Sequence, residues 1–164
     1  MPQISLRKIT VENWKQCASL TVSADQVAFV PNNLYSIAEA QFYPKARSRA
    51  IYNAADVMVG YALFGIDVVS GRWKVFRLMV DASFQRCGYG HAVMRAIVAE
   101  VSIEPDGDEL LICYQSNNNV ARRLYASLGF IEQTDDDGVV TALLKTTLAN
   151  VRRTRDQIAE VRRT

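Results

Sequence analysis

Histidine is nearly missing from this chain of 164 residues, occurring once, as His91. Zinc and other imidazole-rich metal centres need several such ligands close together, so no metal site is expected. Cysteine is sparse as well. Cys17, Cys87 and Cys113 are odd in number, widely spaced and contain no Cys-x-x-Cys pair, which argues against a disulfide framework. Single thiols of this kind pack as small core residues. No stretch approaches the ~20 apolar residues that cross a bilayer. The N-terminus lacks the uninterrupted apolar segment of a secretory signal. Cytoplasmic residence without membrane attachment is therefore the expectation.

Basic charge is also lacking, except at one end. The formal net charge is +2, yet residues 149–164 hold five arginines against Asp156 and Glu160, so the rest of the chain carries −1. A nucleic-acid-binding domain places its basic patch on the folded body, and no nucleic-acid partner is expected here. In the tail, Val151, Thr154, Ile158 and Val161 recur at helical spacing, which predicts a helix with solvated arginines.

What the sequence does have is apolar residues, 49% of the total, enough for one well-packed core but too short a chain for two ordinary domains. Residues 1–148 read as a single domain and 149–164 as its arginine-rich tail. Alternation over residues 3–9 predicts an edge strand. Thr10 can cap a helix over 11–20, with Val11, Trp14, Ala18 and Leu20 as its apolar stripe. Ser36 and Glu39 form a capping box, so a second helix is expected from about Ile37, ended by Pro44.

Residues 48–52 and 57–66 predict a hairpin around the turn at 53–56. Residues 73–80 are almost wholly apolar, as in a strand buried on both faces. Helical spacing follows over 89–101, a short strand over 109–114, and a helix over 118–128 that Gly129 ends. Strands over 130–133 and 139–148 close a hairpin at Asp137-Gly138. Helices joining central strands, with hairpins at both ends, predict a mixed α/β sheet.

Two segments carry chemistry. Gln85-Arg86-Cys87-Gly88-Tyr89-Gly90 lies between a strand and a helix. Two glycines spaced by one residue let the backbone turn tightly and present several N–H groups, and the helix adds its positive end, a site for phosphate oxygens. No Gly-Lys-Ser/Thr follows and the third Rossmann glycine is absent, which points away from nucleoside triphosphates and NAD. The second segment runs from Asn117 through Asn118, Ala121, Arg122, Leu124 and Tyr125 to Gly129 and Phe130. Its asparagines can cap a helix or bond an amide-containing ligand, and Arg122 and Tyr125 project from that helix.

Together these segments resemble the GNAT superfamily of N-acetyltransferases. The first matches its Gln/Arg-x-x-Gly-x-Gly/Ala pyrophosphate loop and the second its C-terminal Asn-x-x-Ala-x-x-Leu-Tyr-x-x-x-Gly-Phe motif, over a topology spanning roughly residues 4–148. The resemblance implies an α/β fold, a mixed central sheet of about seven strands flanked by about four helices, with two central parallel strands splayed apart. It implies acetyl-CoA as cosubstrate, its pantetheine paired with the backbone near Leu78, Met79 and Val80. Gln85, Arg86, Cys87, Gly88, Tyr89, Gly90 and His91 would hold the pyrophosphate, with Asn117, Asn118, Ala121 and Arg122 completing the site. Tyr125 would be the general acid that protonates the departing thiolate.

The resemblance also implies a small primary amine as acceptor. Residues 22–40 are similar to the matching stretch of bacterial spermidine/spermine acetyltransferases. A polyamine pocket needs spaced carboxylates and aromatic faces, for which Asp25, Phe29, Glu39 and Asp67 are candidates. Some polyamine-acetylating relatives carry a carboxylate nine residues before the loop glutamine; here Phe76 stands there. A water chain to Asp67, Asp81 or Glu39 is one route by which the amine proton could then leave. Another amine, such as an antibiotic, an amino acid, a protein N-terminus or a lysine, would use the same machinery. A non-catalytic CoA-binding module is the reading from a different class. A homodimer, which many relatives form, would cover exposed sheet edges.

Overall fold

A computed structural model describes residues 1–146. The expected tail helix over 149–164, and the last two residues of the expected final strand, lie outside the described residues. The elements are β1 (Ile4–Lys8), α1 (Trp14–Ser19), α2 (Asn33–Glu39), β2 (Arg47–Asn53), β3 (Met58–Ile66), β4 (Trp73–Val80), α3 (Tyr89–Val101), β5 (Glu109–Gln115), α4 (Asn119–Ser127), β6 (Ile131–Asp136) and β7 (Val139–Lys145). They form one seven-stranded sheet in the order β1-β2-β3-β4-β5-β7-β6. Only β4 and β5 run parallel; every other neighbouring pair is antiparallel. The expected mixed α/β sheet with four helices is the observed fold.

Two apolar clusters form on the sheet. Val93, Met94, Ile97 and Val101 of α3 and Tyr125 of α4 pack with Phe64, Trp73, Leu110 and Ile112. Cys17 of α1, flanked by Ile37 of α2, packs with Tyr61, Leu63 and Met79. All three cysteines are free thiols; Cys17 packs in the core as expected, whereas Cys113 is half-buried and Cys87 is exposed.

Local signals explain most boundaries. Asn118 caps α4 by accepting the Ala121 N–H at 3.1 Å. At its other end Gly129 takes φ of 90°, and the Gly129 and Phe130 N–H groups return to the carbonyls of Ala126 and Tyr125, a Schellman motif. Replacing Asn118 with Ala removes one cap and should cost ~1 kcal/mol. Urea denaturation checks this as a lower midpoint with an unchanged slope. At the β6–β7 turn both Asp137 and Gly138 have positive φ, 52° and 80°, as a type I′ turn requires.

Three expectations need correction. Helix α1 starts at Trp14 rather than at residue 11, because Asn13 accepts the Thr10 N–H at 2.8 Å and holds a turn ahead of it. Val11 is consequently 78% exposed and Cys17 is the residue that α1 buries. Helix α2 starts four residues before Ile37. Asn32, extended after Pro31, outcompetes Ser36 as the cap by accepting the Tyr35 N–H at 2.8 Å. Ser36 instead lies within the helix, its hydroxyl donating to the Asn32 carbonyl at 3.1 Å. Strand β4 is not buried on both faces; β3 is the strand buried at eight of nine positions. The second half of β4 borders a cleft.

Candidate active site

The cleft arises where two parallel strands stop pairing. β4 and β5 are in register only at Trp73–Leu110, Lys74–Leu111 and Val75–Ile112. The next residue, Phe76, has no partner on β3, since Val75 lies opposite Phe64 and Arg77 opposite Leu63. A bulge of this kind bends its strand and raises the local twist, turning β4 away from β5. Beyond it β4 stays paired with β3, and β5 with β7. The two facing edges are left apart around a cavity of about 920 Å³.

Two side chains at the bulge meet α2 and the segment just after it. Phe76 stacks on Tyr43 with centroids 3.9 Å apart and planes 8° from parallel. Arg77 donates to the Glu39 carboxylate at 2.8 Å and to the Phe76 carbonyl at 2.6 Å. Tyr43 donates to the other Glu39 oxygen at 2.7 Å; burial first, then that carboxylate, pushes the Tyr43 phenol up to about 12.

Backbone polarity within the cleft follows from peptide geometry. The Met79 carbonyl is directed at β3, where a Cβ on Gly60 would lie 2.3 Å from it. In a trans peptide the Val80 N–H points the opposite way, toward β5. The Asp81 N–H bonds the Val59 carbonyl on β3, so the Val80 carbonyl also faces the cleft, where Gln85 bonds it at 3.0 Å. Thus Val80, and by alternation Leu78, turn their backbone groups into the cleft, while Met79 turns its own to β3.

At the end of β4 the loop reverses through Arg86 (φ 62°) and Gly88 (φ 80°) into α3. Gly88 caps α3 without any side-chain hydrogen bond. The N–H groups of Tyr89, Gly90 and His91 are in the first turn and have no intrahelical acceptor, so they and the helix dipole are available to an anion. His91 Nε2 lies 2.8 Å from the Ser127 hydroxyl, and burial, with Arg95 adding, lowers its pKa.

Tyr125 is 7% exposed and still reaches the cavity wall. Its ring packs tilted on Tyr114, with centroids 5.4 Å apart, and edge-on to Phe130 at 5.6 Å. Burial, and secondarily the neighbouring Tyr114 phenol, push its pKa up, so the hydroxyl keeps its proton at neutral pH. Tyr114 is held by donating to Glu132 at 2.8 Å, and Glu132 also accepts from Arg122 at 2.8 Å.

Of the residues singled out in the sequence, Leu78, Met79, Val80, Gln85, Arg86, Gly88, Tyr89, Gly90, His91, Asn118, Ala121, Tyr125, Asp25 and Phe29 all line this cavity. Others lie elsewhere. Cys87 lines a shallower recess with Met1, Pro2 and Arg95. Asn117 is not among the lining residues, and Arg122 is engaged by Glu132 while its neighbour Arg123 faces the cleft. Asp67 lies at the far end of β4, bonded to Ser70 and paired with Lys74. Glu39 does not line the cavity; it acts on it through Arg77. Arg77 and Gln26 were not anticipated as site residues. A lone arginine inside an apolar strand was the available signal for the first, and nothing local marked the second.

The acetyltransferase (GNAT) family profile matches residues 13–130. The chain belongs to this family. Its members are acetyl-CoA-dependent N-acetyltransferases, and that is the chain's enzyme class. No curated protein matches the sequence significantly. Among solved structures, the ribosomal-protein-S18-alanine N-acetyltransferase from Escherichia coli is similar at TM-score 0.68 and 19% identity, covering 89% of this chain and 96% of that one. The spermidine N-acetyltransferase from Vibrio cholerae, in complex with CoA and spermine, gives 0.69 and 13%, covering 88% and 96%. An acetyltransferase from Thermus thermophilus gives 0.70 and 14%, covering 88% and 99%. At these identities the likeness is one of GNAT fold. Among the described residues no helix is long and apolar enough to cross a membrane, and no metal-binding group of His, Cys, Asp and Glu is found.

Proposed function

We propose that this GNAT protein binds acetyl-CoA in the β4–β5 cleft and transfers the acetyl group to a primary amine of a small acceptor. The observation that carries the reading is the cleft itself: it is open along the backbone edge of β4 and ends at an uncapped helix N-terminus. The residues fit the cosubstrate. Leu78 and Val80 offer strand-like pairing to a pantetheine arm. The Gly88, Tyr89, Gly90 and His91 amides, with the Arg86 loop, offer donors to a pyrophosphate. Bound acetyl-CoA supplies the activated acetyl thioester and a thiol leaving group.

The protein's own part is placement and proton control. The Val80 N–H is a fixed donor for charge developing on the acetyl carbonyl, and a preplaced donor costs no reorganisation at the moment of reaction. Tyr125 holds a proton for the departing sulfur. The acceptor enters between β4 and the α1–α2 loop, where Asp25 can pair with an ammonium and Phe29 and Phe76 can cover methylenes. That wall supports a polyamine such as spermidine or spermine as the acceptor class.

One observation favours a second reading. Asp25 is the sole carboxylate among the described residues lining the cleft, and Arg77 lines it too. A small amine carrying its own carboxylate would find cations in Arg123 and in Arg77, which it would share with Glu39, whereas a polycation has Asp25 alone to pair with among the described lining residues. Thiol release from acetyl-CoA against spermidine, spermine, diamines, amino acids and aminoglycosides separates these readings. Release with polyamines, weakened at least about tenfold in Asp25→Asn, supports the first, a factor equivalent to ~1.4 kcal/mol. Release only with amino acids would replace it. Binding of acetyl-CoA with no release to any of these amines would leave a protein N-terminus or lysine as the acceptor, or a non-catalytic module.

A further inference from the structure

Gln85 stands at the first position of the loop motif, where resemblance assigns it to the pyrophosphate. Its side chain is turned elsewhere. The Gln85 carbonyl oxygen accepts from the Ser23 hydroxyl at 3.0 Å. Its amide nitrogen donates to the Gln26 side-chain carbonyl at 3.1 Å and to the Val80 carbonyl at 3.0 Å. A backbone carbonyl can only accept, so the amide must lie with its nitrogen toward Val80, and both its hydrogens are then engaged. No donor of this side chain is left for a phosphate.

What the amide joins is informative. Ser23 and Gln26 belong to the loop between α1 and α2 and line the cleft beside Asp25 and Phe29. Val80 is the residue whose N–H faces the cleft from β4. A second, independent tie lies just upstream: Thr21 N–H donates to the Asp81 carboxylate at 3.0 Å and Ala82 N–H to the Thr21 carbonyl at 2.8 Å. This backbone tie does not depend on Gln85, so the loop remains attached when the amide is removed.

We propose that Gln85 is a positioning residue for the acceptor, a clamp that fixes the 21–31 loop against the end of β4, rather than a ligand of the cosubstrate. The inference rests on the acetyltransferase reading above. Removing the clamp frees Ser23, Gln26 and Asp25 to move relative to Val80, so the acceptor amine is held less well over the acetyl group. The pyrophosphate donors, which are main-chain groups of the following residues, keep their geometry.

The test is a split of kinetic constants in Gln85→Leu, which matches the side chain roughly in size and removes all three bonds. The acceptor KM should rise about tenfold, as expected for losing hydrogen bonds of ordinary strength, while the acetyl-CoA KM changes less than about twofold. Gln85→Glu should fall between this variant and the native protein. It keeps the Ser23 bond and can regain Gln26 if that amide turns, but it cannot donate to Val80. A rise in the acetyl-CoA KM with the acceptor KM unchanged would overturn the proposal, as would an equal rise in both or no change in either. Hydrogen exchange gives a readout that needs no turnover. In Gln85→Leu the amide of Gln26, bonded to the Ser23 carbonyl at 2.9 Å, should exchange faster while those of α3 do not. Unchanged exchange at Gln26 would overturn the clamp. A native protein that binds acetyl-CoA but releases thiol with none of the amines tested contradicts the small-acceptor reading alone, and the exchange at Gln26 still tests the clamp.

Discussion

Replacing Tyr125 with Phe should lower kcat by ~10²–10⁴-fold, the usual contribution of a positioned general acid, while acetyl-CoA binding is retained. The ring is buried between Tyr114 and Phe130, and Phe keeps those contacts, so the fold should tolerate the change. Only the hydroxyl is lost. Its raised pKa matters to the mechanism in two ways. A thiol of ordinary pKa, about 8.5, is a stronger acid than a phenol of about 10 or above, so Tyr125 shares its proton with the departing sulfur by hydrogen bonding and need not transfer it fully in the transition state. The phenol also stays protonated throughout the range in which an acceptor amine loses its proton. Turnover should therefore climb with pH as free amine accumulates, with no descending limb from Tyr125 below a pH of about 10. A kcat in Tyr125→Phe within about twofold of native would remove the hydroxyl from the chemistry, since that is far below the effect of any general acid.

Gly60→Ala should damage stability and activity together. A Cβ at this position would lie 2.3 Å from the Met79 carbonyl oxygen and 3.1 Å from the Ile51 Cδ1. The side chain of Ile51 can shift, but a carbonyl in the middle of a paired sheet moves only with its peptide. Overpacking of this kind typically costs ~1–3 kcal/mol, measurable as a lowered midpoint in chemical denaturation. The functional consequence is more specific. The Met79 carbonyl and the Val80 N–H belong to one peptide plane, so displacing the first redirects the second within the cleft. Acetyl-CoA KM should rise and kcat should fall even at temperatures where the variant is fully folded. Native kinetic constants in a folded Gly60→Ala protein would mean that the Val80 amide does not contact the acetyl donor.

Legibility in the sequence followed the range of the interaction. β4 and α3 have the boundaries that apolar runs and helical spacing predict, and α4 has the asparagine cap and glycine stop written in its ends. These are local signals within one element. At α2 two caps competed, Asn32 and Ser36, and the choice was made by the extended Pro31–Asn32 backbone entering the helix. The splay was implied by resemblance, but its cause, the bulge at Phe76, is a register shift between strands and leaves no local pattern. Pairing across to β6 decided the use of Arg122, which Glu132 captures, while Arg123 lines the cleft; helix phase, which sets Arg122 nearer the face of Ala121 and Tyr125, points the other way. The same limit applies to Gln85, whose partners Ser23 and Gln26 are about sixty residues away in sequence. Motifs placed the cleft well; long-range pairing decided how its side chains are used.

Every step of the proposed transfer requires acetyl-CoA in the β4–β5 cleft. Amide chemical shifts followed by nuclear magnetic resonance during a CoA titration would test this directly. The amides of Leu78, Val80, Gly88, Tyr89, Gly90 and His91 should move together and saturate with a single dissociation constant, while those of β1 and β2 remain still. Saturable shifts confined to other residues, such as the recess at Met1, Cys87 and Arg95, would contradict the assignment of the β4–β5 cleft as the acetyl-CoA site.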